Sequence, residues 1–307
     1  MPIKTFWRVT IGAAQDWRAD NCLRLAASLA YYTALSLAPL LLLIVGVTGM
    51  VLGREQVASQ LAAQLESLMG PAGRELVNSI LTTSSPKGGT WATVVGLLTL
   101  VIGATAVFGE LQATMNLIWE VRPAPSGGVW AGLGALLKER LFSLALVFAL
   151  AFLLLVSLVI SAILAGAAAW FQGPEQALVS RVLELAVSLL VLTIVFALLF
   201  TYVPDAEIRW RDVWLGGLIT AALFTLGKTA IGYYLGQASV GSAYGAAGSL
   251  VVLLVWVYYS ALIMFFGAEF THAWATRQGA VSPQPHAVAG AAPQTKGEAA
   301  AERSPGA

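Results

Sequence analysis

The sequence predicts an all-α polytopic membrane protein with six transmembrane helices, an N-terminal interfacial helix and an extracytoplasmic amphipathic helical hairpin. Three observations predict it. Of 307 residues, 58% are hydrophobic and only 11% charged, with a mean hydropathy of +0.78, whereas soluble domains carry about 25% charged residues. An apolar excess of that size needs lipid as its solvent. Apolar runs long enough to cross a bilayer core about 30 Å thick recur along the chain, divided by short charged or Gly/Pro-bearing stretches. Lys and Arg, finally, crowd into alternate connections, as serial crossings of a bilayer require.

Residues 1–25 set Phe6, Trp7, Thr10, Ile11, Ala14 and Trp17 at helical spacing, punctuated by Lys4, Arg8, Arg18 and Arg24. No small-residue cleavage site follows an apolar core, so this is no secretory signal. It reads as an amphipathic helix lying in the cytoplasmic interface, with its tryptophans at headgroup depth, the alternative being an ordinary helix on the soluble side that packs on the bundle. The first span, 26–52, carries Ser28, Tyr31, Tyr32, Ser36 and Pro39 in its first half. Neighbouring helices must satisfy the backbone groups that the proline frees, which implies a kinked helix facing protein or water. A polar interruption follows at 53–89, with Val57, Leu61, Leu65 and Leu68 before Gly70 and Pro71, then Leu76, Val77, Ile80 and Leu81. Both pieces are too short and too charged to span. They form a helical hairpin on the outer face, either a passive surface element or a lid over a cavity.

The second span, 91–109, continues into Glu110, Asn116 and Trp119 until Pro123 and Pro125 stop it. The third, 141–170, is longer than the bilayer needs, so it tilts or breaks near Gly166. After a turn at Gly173 and Pro174 comes the fourth, 182–202, with Glu184 in its first turn. A polar elbow at 204–212 holds Asp205, Glu207, Arg209, Arg211 and Asp212. The fifth span, 213–235, contains Lys228, and the uncharged, small-residue-rich stretch 236–249 turns it back into the sixth, 249–271. Residues 276–307 are rich in Ala, Gly, Pro, Gln and Ser and predict a disordered cytoplasmic tail.

Orientation follows from the cations. Lys4, Arg8, Arg18, Arg24, Arg122, Lys138, Arg140, Arg209, Arg211 and Arg277 fall on one side, and Arg54, Arg74, Lys87 and Arg181 on the other, so both termini are cytoplasmic. Trp91 and Trp170 on the outer side, with Trp119, Trp214 and Trp274 on the inner, fit an aromatic belt.

Motifs that carry chemistry are missing. There is no phosphate-cradling GxxxxGK[ST], no GxSxG and no HExxH, and one cysteine, Cys22, with two histidines not at ligand spacing, His272 and His286, offers no metal site. No enzyme activity, cofactor or metal is expected, and without a basic tract no nucleic acid. What remains are the ionisable groups of the spans: Glu110, Glu184, Lys228 and Glu269. Such groups are functional candidates by default, but three lie near helix ends, where snorkelling explains them. Lys228 stands apart. Its backbone lies about 8 Å short of the outer face, where it pairs with Glu184 or receives an anionic headgroup. The Gly232-xxx-Gly236 pair is a close-packing signal between helices.

SLAYYTALSLAPLLLL in the first span, MNLIWEV after the second, the elbow VPDAEIRWRDVWLGG and the closing YGAAGSLVVLLVWVYYSALIMFFGAEF resemble the YihY/BrkB family of bacterial inner-membrane proteins. The resemblance runs from Trp7 to Trp274 and implies an all-helical, six-span, multi-pass protein of the bacterial cytoplasmic membrane. It matches the family's pattern at Tyr31, Pro39, Asn116, Lys228, Tyr244 and Glu269, and it brings no catalytic set. Many members carry the name ribonuclease BN, but this chain groups no metal-binding carboxylates and histidines, so ribonuclease activity is not expected. The family's associations with envelope properties imply a transporter or flippase-like protein for an amphipathic or lipid substrate. Its partners are then membrane lipids and an anionic amphipathic substrate. The binding candidates are Lys228, Glu184, Tyr31, Tyr32, Glu110, Asn116, Tyr244 and Glu269. The alternative is a non-transporting membrane scaffold for envelope proteins.

Overall fold

The computed structural model describes residues 3–83, 89–121, 174–206, 208–237 and 247–277. Among them the chain forms eight helices and no strand: α1 (Ile3–Ala19), α2 (Cys22–Leu52), α3 (Arg54–Met69), α4 (Pro71–Thr83), α5 (Gly89–Ile118), α6 (Pro174–Tyr202), α7 (Trp210–Gln237) and α8 (Gly248–Arg277). The expected third span at 141–170, Tyr244 and the tail beyond 277 lie outside the described residues.

Four segments are long and apolar enough to cross a membrane: Cys22–Gly46, Leu185–Tyr202, Trp210–Ile231 and Gly248–Arg277. The chain is a membrane protein. The expected second span falls within α5, so among the described residues four spanning segments stand where the sequence predicts six over the whole chain. Boundaries move outward as well. Helix α2 starts at Cys22, ahead of position 26, and α8 continues to Arg277, because each run of helix formers extends past the apolar window that marks the span.

Helix α8 is the centre of the bundle. Its sequence is apolar all round, and such a helix has no face to give to water and must be enclosed. It touches every other described helix. At one end of the bundle it meets α1, through Phe270 against Val9 and Ala13. At the other it meets the α3–α4 pair, where Val252 and Leu253 pack on Met69 and Leu76. The main core gathers Cys22, Met115, Ile118, Trp119, Phe200, Val213, Phe265 and Ala268 from α2, α5, α6, α7 and α8 at the α1 end.

Three junctions use left-handed backbone. Asn21 (φ 54) separates α1 from α2 and donates Nδ2 to Ala19 O at 3.1 Å, and Gly53 (φ 87) and Gly70 (φ 73) separate α2, α3 and α4. Asn and Gly are the residues that occupy this conformation at little cost. Helix α5 closes differently. Glu120 (φ 52) takes the left-handed position while the amides of Val121 and Glu120 bond Asn116 O and Leu117 O, a double closure of the last turn. Helix α2 passes unbroken through Pro39.

Helices α7 and α8 meet through a reciprocal clasp. Gly216 lies against Thr271 and Gly267 against Thr220, four residues apart on each helix, and an added Cβ at either glycine would overlap the facing threonine Oγ1. Each hydroxyl is turned into its own helix, Thr220 to Gly216 O at 2.7 Å and Thr271 to Gly267 O at 2.6 Å. Association of helices in lipid rests on this kind of backbone approach, since no hydrophobic drive acts between them. The clasp lies a few turns from the Gly232-xxx-Gly236 pair that the sequence singles out.

Candidate functional site

Three polar constellations and one groove carry the chemistry of the described residues, and all lie at the α1 end. The first is Glu269. It is 1% exposed on α8, receives a contact from the Cys22 thiol of α2 at 3.9 Å, and lies close enough to Asp20 and Asp16 for both to act on it electrostatically. The sequence reading treats Glu269 as a helix-end group that snorkels to water. That expectation is corrected: α1 and the start of α2 fold over it and close it in.

The second constellation pins the elbow. Asn116 Nδ2 donates to Asp205 Oδ2 at 2.8 Å, and Asp205 N–H donates back to Asn116 Oδ1 at 2.7 Å. Gln112, one turn earlier on α5, adds Nε2 at 3.2 Å from both carboxylate oxygens. Asn116 is thus a fastener between α5 and the segment that leads into α7. Asn116→Ala is expected to lower stability by about 1–2 kcal/mol, since each such bond contributes about 0.5–1.5 kcal/mol. Limited trypsin cleavage at Arg209 and Arg211 should accelerate with it, and unchanged cleavage would show the elbow to be held by other contacts.

The third is the start of α7. Asp212 is fully buried in the first turn, where a carboxylate complements the helix dipole. Arg209 Nε donates to its Oδ2 at 3.2 Å, while Arg211 Nε stays 3.7 Å from Oδ1, an ion-pair distance but too long for a hydrogen bond. Arg211 is therefore only loosely held. Its side chain is 70% exposed.

Beside Arg211 lies a groove of about 670 Å³. Its walls are Ala186, Leu189, Leu190 and Thr193 of α6, Trp214, Leu215 and Leu218 of α7, and Trp274 of α8, with Arg211 at the rim. The volume lies inside the range of small-molecule sites, about 300–1,000 Å³. Leu190, Trp214 and Leu218 are among the exposed large apolar residues, so the groove is open along an apolar side. On both α6 and α7 its residues recur at positions i, i+3, i+4 and i+7. That spacing was the available sequence signal, and it was hidden because the rest of each helix is also apolar.

The other sequence candidates are dispersed. Lys228 is exposed on α7, about 15 Å along the helix axis from the level of Glu269, counting ten residues from the Thr220–Gly267 crossing. It is not among the residues that line the groove, and its expected partner Glu184 has its side chain outside the described residues. Tyr31 is 58% exposed and pairs edge-on with Tyr32, ring centroids 5.7 Å apart. Glu110 is half-buried, and its carbonyl accepts the Thr114 hydroxyl at 2.8 Å. The side chain of Glu184 and all of Tyr244 lie outside the described residues. No group of three or more His, Cys, Asp or Glu among the described residues has the geometry to hold a metal ion.

A family model described as "Virulence factor BrkB" matches residues 13–291. Similar curated proteins carry the name UPF0761 membrane protein. One, from Alkalilimnicola ehrlichii, is 30% identical over 86% of this chain and 57% of its own length. Another, from Verminephrobacter eiseniae, is 30% identical over 86% of this chain and 62% of its own length. A third, from Tolumonas auensis, is 30% identical over 87% of this chain and 82% of its own length. The chain thus spans about three-fifths of the first two relatives and most of the third. No solved structure matches.

Proposed function

The chain belongs to the BrkB family of membrane proteins, and on that premise we propose that it moves an anionic, amphipathic lipid-like substrate between leaflets of the bacterial inner membrane, both its termini being cytoplasmic. The observation that carries this reading is the groove between α6 and α7. It has apolar walls for acyl chains, a side open to the bilayer, and at its rim a guanidinium that Asp212 does not engage by a hydrogen bond. Trp214 and Trp274 stand beside that guanidinium, where amphipathic rings favour the headgroup layer. Lys4, Arg8, Arg18, Arg24, Arg209 and Arg211 all gather at the same end of the bundle, which supports placing that end in the cytoplasm. The chemistry asked of the protein is binding and passage, with no bond made or broken.

The test is reconstitution into liposomes and the rate at which a headgroup-labelled phosphatidylglycerol crosses between leaflets. Leu190→Trp with Leu218→Trp fills the groove and is expected to reduce the rate to that of protein-free liposomes. Arg211→Gln is expected to slow the anionic lipid about tenfold, the loss of about 1.4 kcal/mol of transition-state binding, and to leave a zwitterionic lipid little changed. Crossing by the wild-type protein no faster than in empty liposomes would end the transport reading.

A second reading, a membrane scaffold for other envelope proteins, is favoured by the close α7–α8 clasp and by Lys228, which is exposed and does not line the groove. Under it, the groove-filling pair would leave lipid movement untouched, and Lys228→Gln would change which envelope proteins co-purify with the chain.

A further inference from the structure

Helix α1 is sorted by charge around its axis. Val9 and Ala13 are buried against Phe270, with Leu215, Ile219, Ala273 and Trp274 around them. Along the same stripe, Asp16 and Asp20 lie close enough to Glu269 to act on it electrostatically. The opposite stripe is Lys4, Trp7, Arg8, Ile11, Gln15 and Arg18, every one of them exposed. Trp7 is 59% and Ile11 54% exposed, and Leu23 and Arg24 in the first turn of α2 continue the same exposed surface.

Two properties of this face identify what covers it. Its centre is an aromatic and an aliphatic side chain that would be costly to leave in water, so it needs an apolar or interfacial medium. Its flanks are cations only, because both acids of the segment are turned inward, and none of the four cations enters an ion pair among the described residues. A protein partner would need both an apolar socket and a set of acids at matching positions. The headgroup layer of an acidic bilayer supplies both at once, and a helix with this division of faces lies in that layer.

We propose that the outward face of α1, together with Arg24, is a docking surface for acidic phospholipids: Trp7 and Ile11 enter the interface while Lys4, Arg8, Arg18 and Arg24 hold headgroup phosphates. The surface is separate from the groove, and its existence does not depend on transport. It does touch the groove's wall, since Leu215 and Trp274 contribute both to the seat of α1 and to the groove lining. Lipid held on α1 is therefore mechanically continuous with the α7–α8 wall.

The test uses the full chain in nanodiscs with one label. Cys22 is fully buried, so a thiol-reactive bimane on Trp7→Cys reports on α1, and the parent protein measures any background labelling. The probe lipids are phosphatidylglycerol and phosphatidylcholine brominated in the acyl chains, at equal mole fraction in an otherwise unbrominated mixture of both. Quenching of the label is expected with both, about twofold stronger with the anionic lipid. Salt of about 1 M, which shortens the screening length to about 3 Å, is expected to bring the ratio toward one without any mutation. The combined Lys4→Gln, Arg8→Gln, Arg18→Gln and Arg24→Gln protein is expected to do the same while remaining quenched, and Arg8→Gln with Arg18→Gln alone to do so by about half. Absence of quenching by either lipid would place the face in water or against a protein and overturn the proposal. Equal quenching in the parent label at low salt would overturn it too, by showing bilayer contact without headgroup selection.

Discussion

Gly267→Val is expected to abolish the folded, monodisperse protein or to lower its thermal midpoint by more than any other single substitution on α8. The reason is the absence of space on both sides of the clasp. A Cβ at 267 overlaps Thr220 Oγ1 and comes within 2.8 Å of Thr220 Cβ and 2.9 Å of its Cγ2. The threonine cannot rotate away, because its hydroxyl holds Gly216 O at 2.7 Å and the residue is fully buried. Nor does α7 have room to slide, since one turn away Gly216 lies so close to Thr271 that even an added Cβ would come within 2.8 Å of the threonine Cβ. Overpacking a tight site costs about 1–3 kcal/mol, and valine adds two further methyls to the clash. Gly267→Ala is the milder case, since replacing a helical glycine by alanine returns up to about 1 kcal/mol. Combining it with Thr220→Gly moves the bulk from one helix to the other and should recover most of the loss. Tryptophan-fluorescence melting and size-exclusion profiles in detergent follow all three proteins, and a Gly267→Val protein that melts with the wild type would refute the clasp.

The second large effect is expected at Glu269, where the substituent decides the outcome more than the loss of charge does. Glu269→Gln keeps the size and supplies a donor to Asp20, so its melting should stay within about 1 kcal/mol of wild type. Glu269→Leu removes the partner of Asp20 beneath α1 and should cost about 1–3 kcal/mol, the desolvation penalty of a polar group left unpaired. Replacing both with leucine should restore part of that, since an apolar pair of similar volume often equals a buried polar one. If Glu269→Gln proves as damaging as Glu269→Leu, a polar contact with Asp20 is not what holds α1 to α8. Because α1 is seated by this contact and by Phe270, the leucine variant should also weaken the lipid preference of the Trp7 label.

These two sites show unequal legibility in the sequence. The glycines and threonines of the clasp obey the small-xxx-small pattern, yet the chain contains so many such pairs that the Gly232-xxx-Gly236 pair was equally eligible. The groove repeats at i, i+3, i+4 and i+7 on two helices, but α6 and α7 are apolar on their other faces too, so the repeat does not stand out. Asn116 and Glu269 did stand out, as matches to a family pattern, without any indication of their partners. Lys228 drew attention as a charge in an apolar run and is exposed without lining the groove, while Glu269, read as a helix-end group, is enclosed.

The sequence by itself determined that the chain lives in lipid, that it is helical, where most of its long helices lie and which family it resembles. Those properties are sums over contiguous residues: hydropathy, run length and the placement of Gly, Pro, Arg and Trp. Only the tertiary structure decided which faces meet. In α8 the apolar residues occupy every side, so no periodicity says which of them will pack on α7, α1 or α3. The enclosure of Glu269 depends on Cys22, 247 residues away in the chain, and on the left-handed turn at Asn21 that brings α1 back over α8. A carboxyl at a helix end is cheap if it reaches water and costly if another helix covers it, and that difference is set by contacts between residues far apart in the chain.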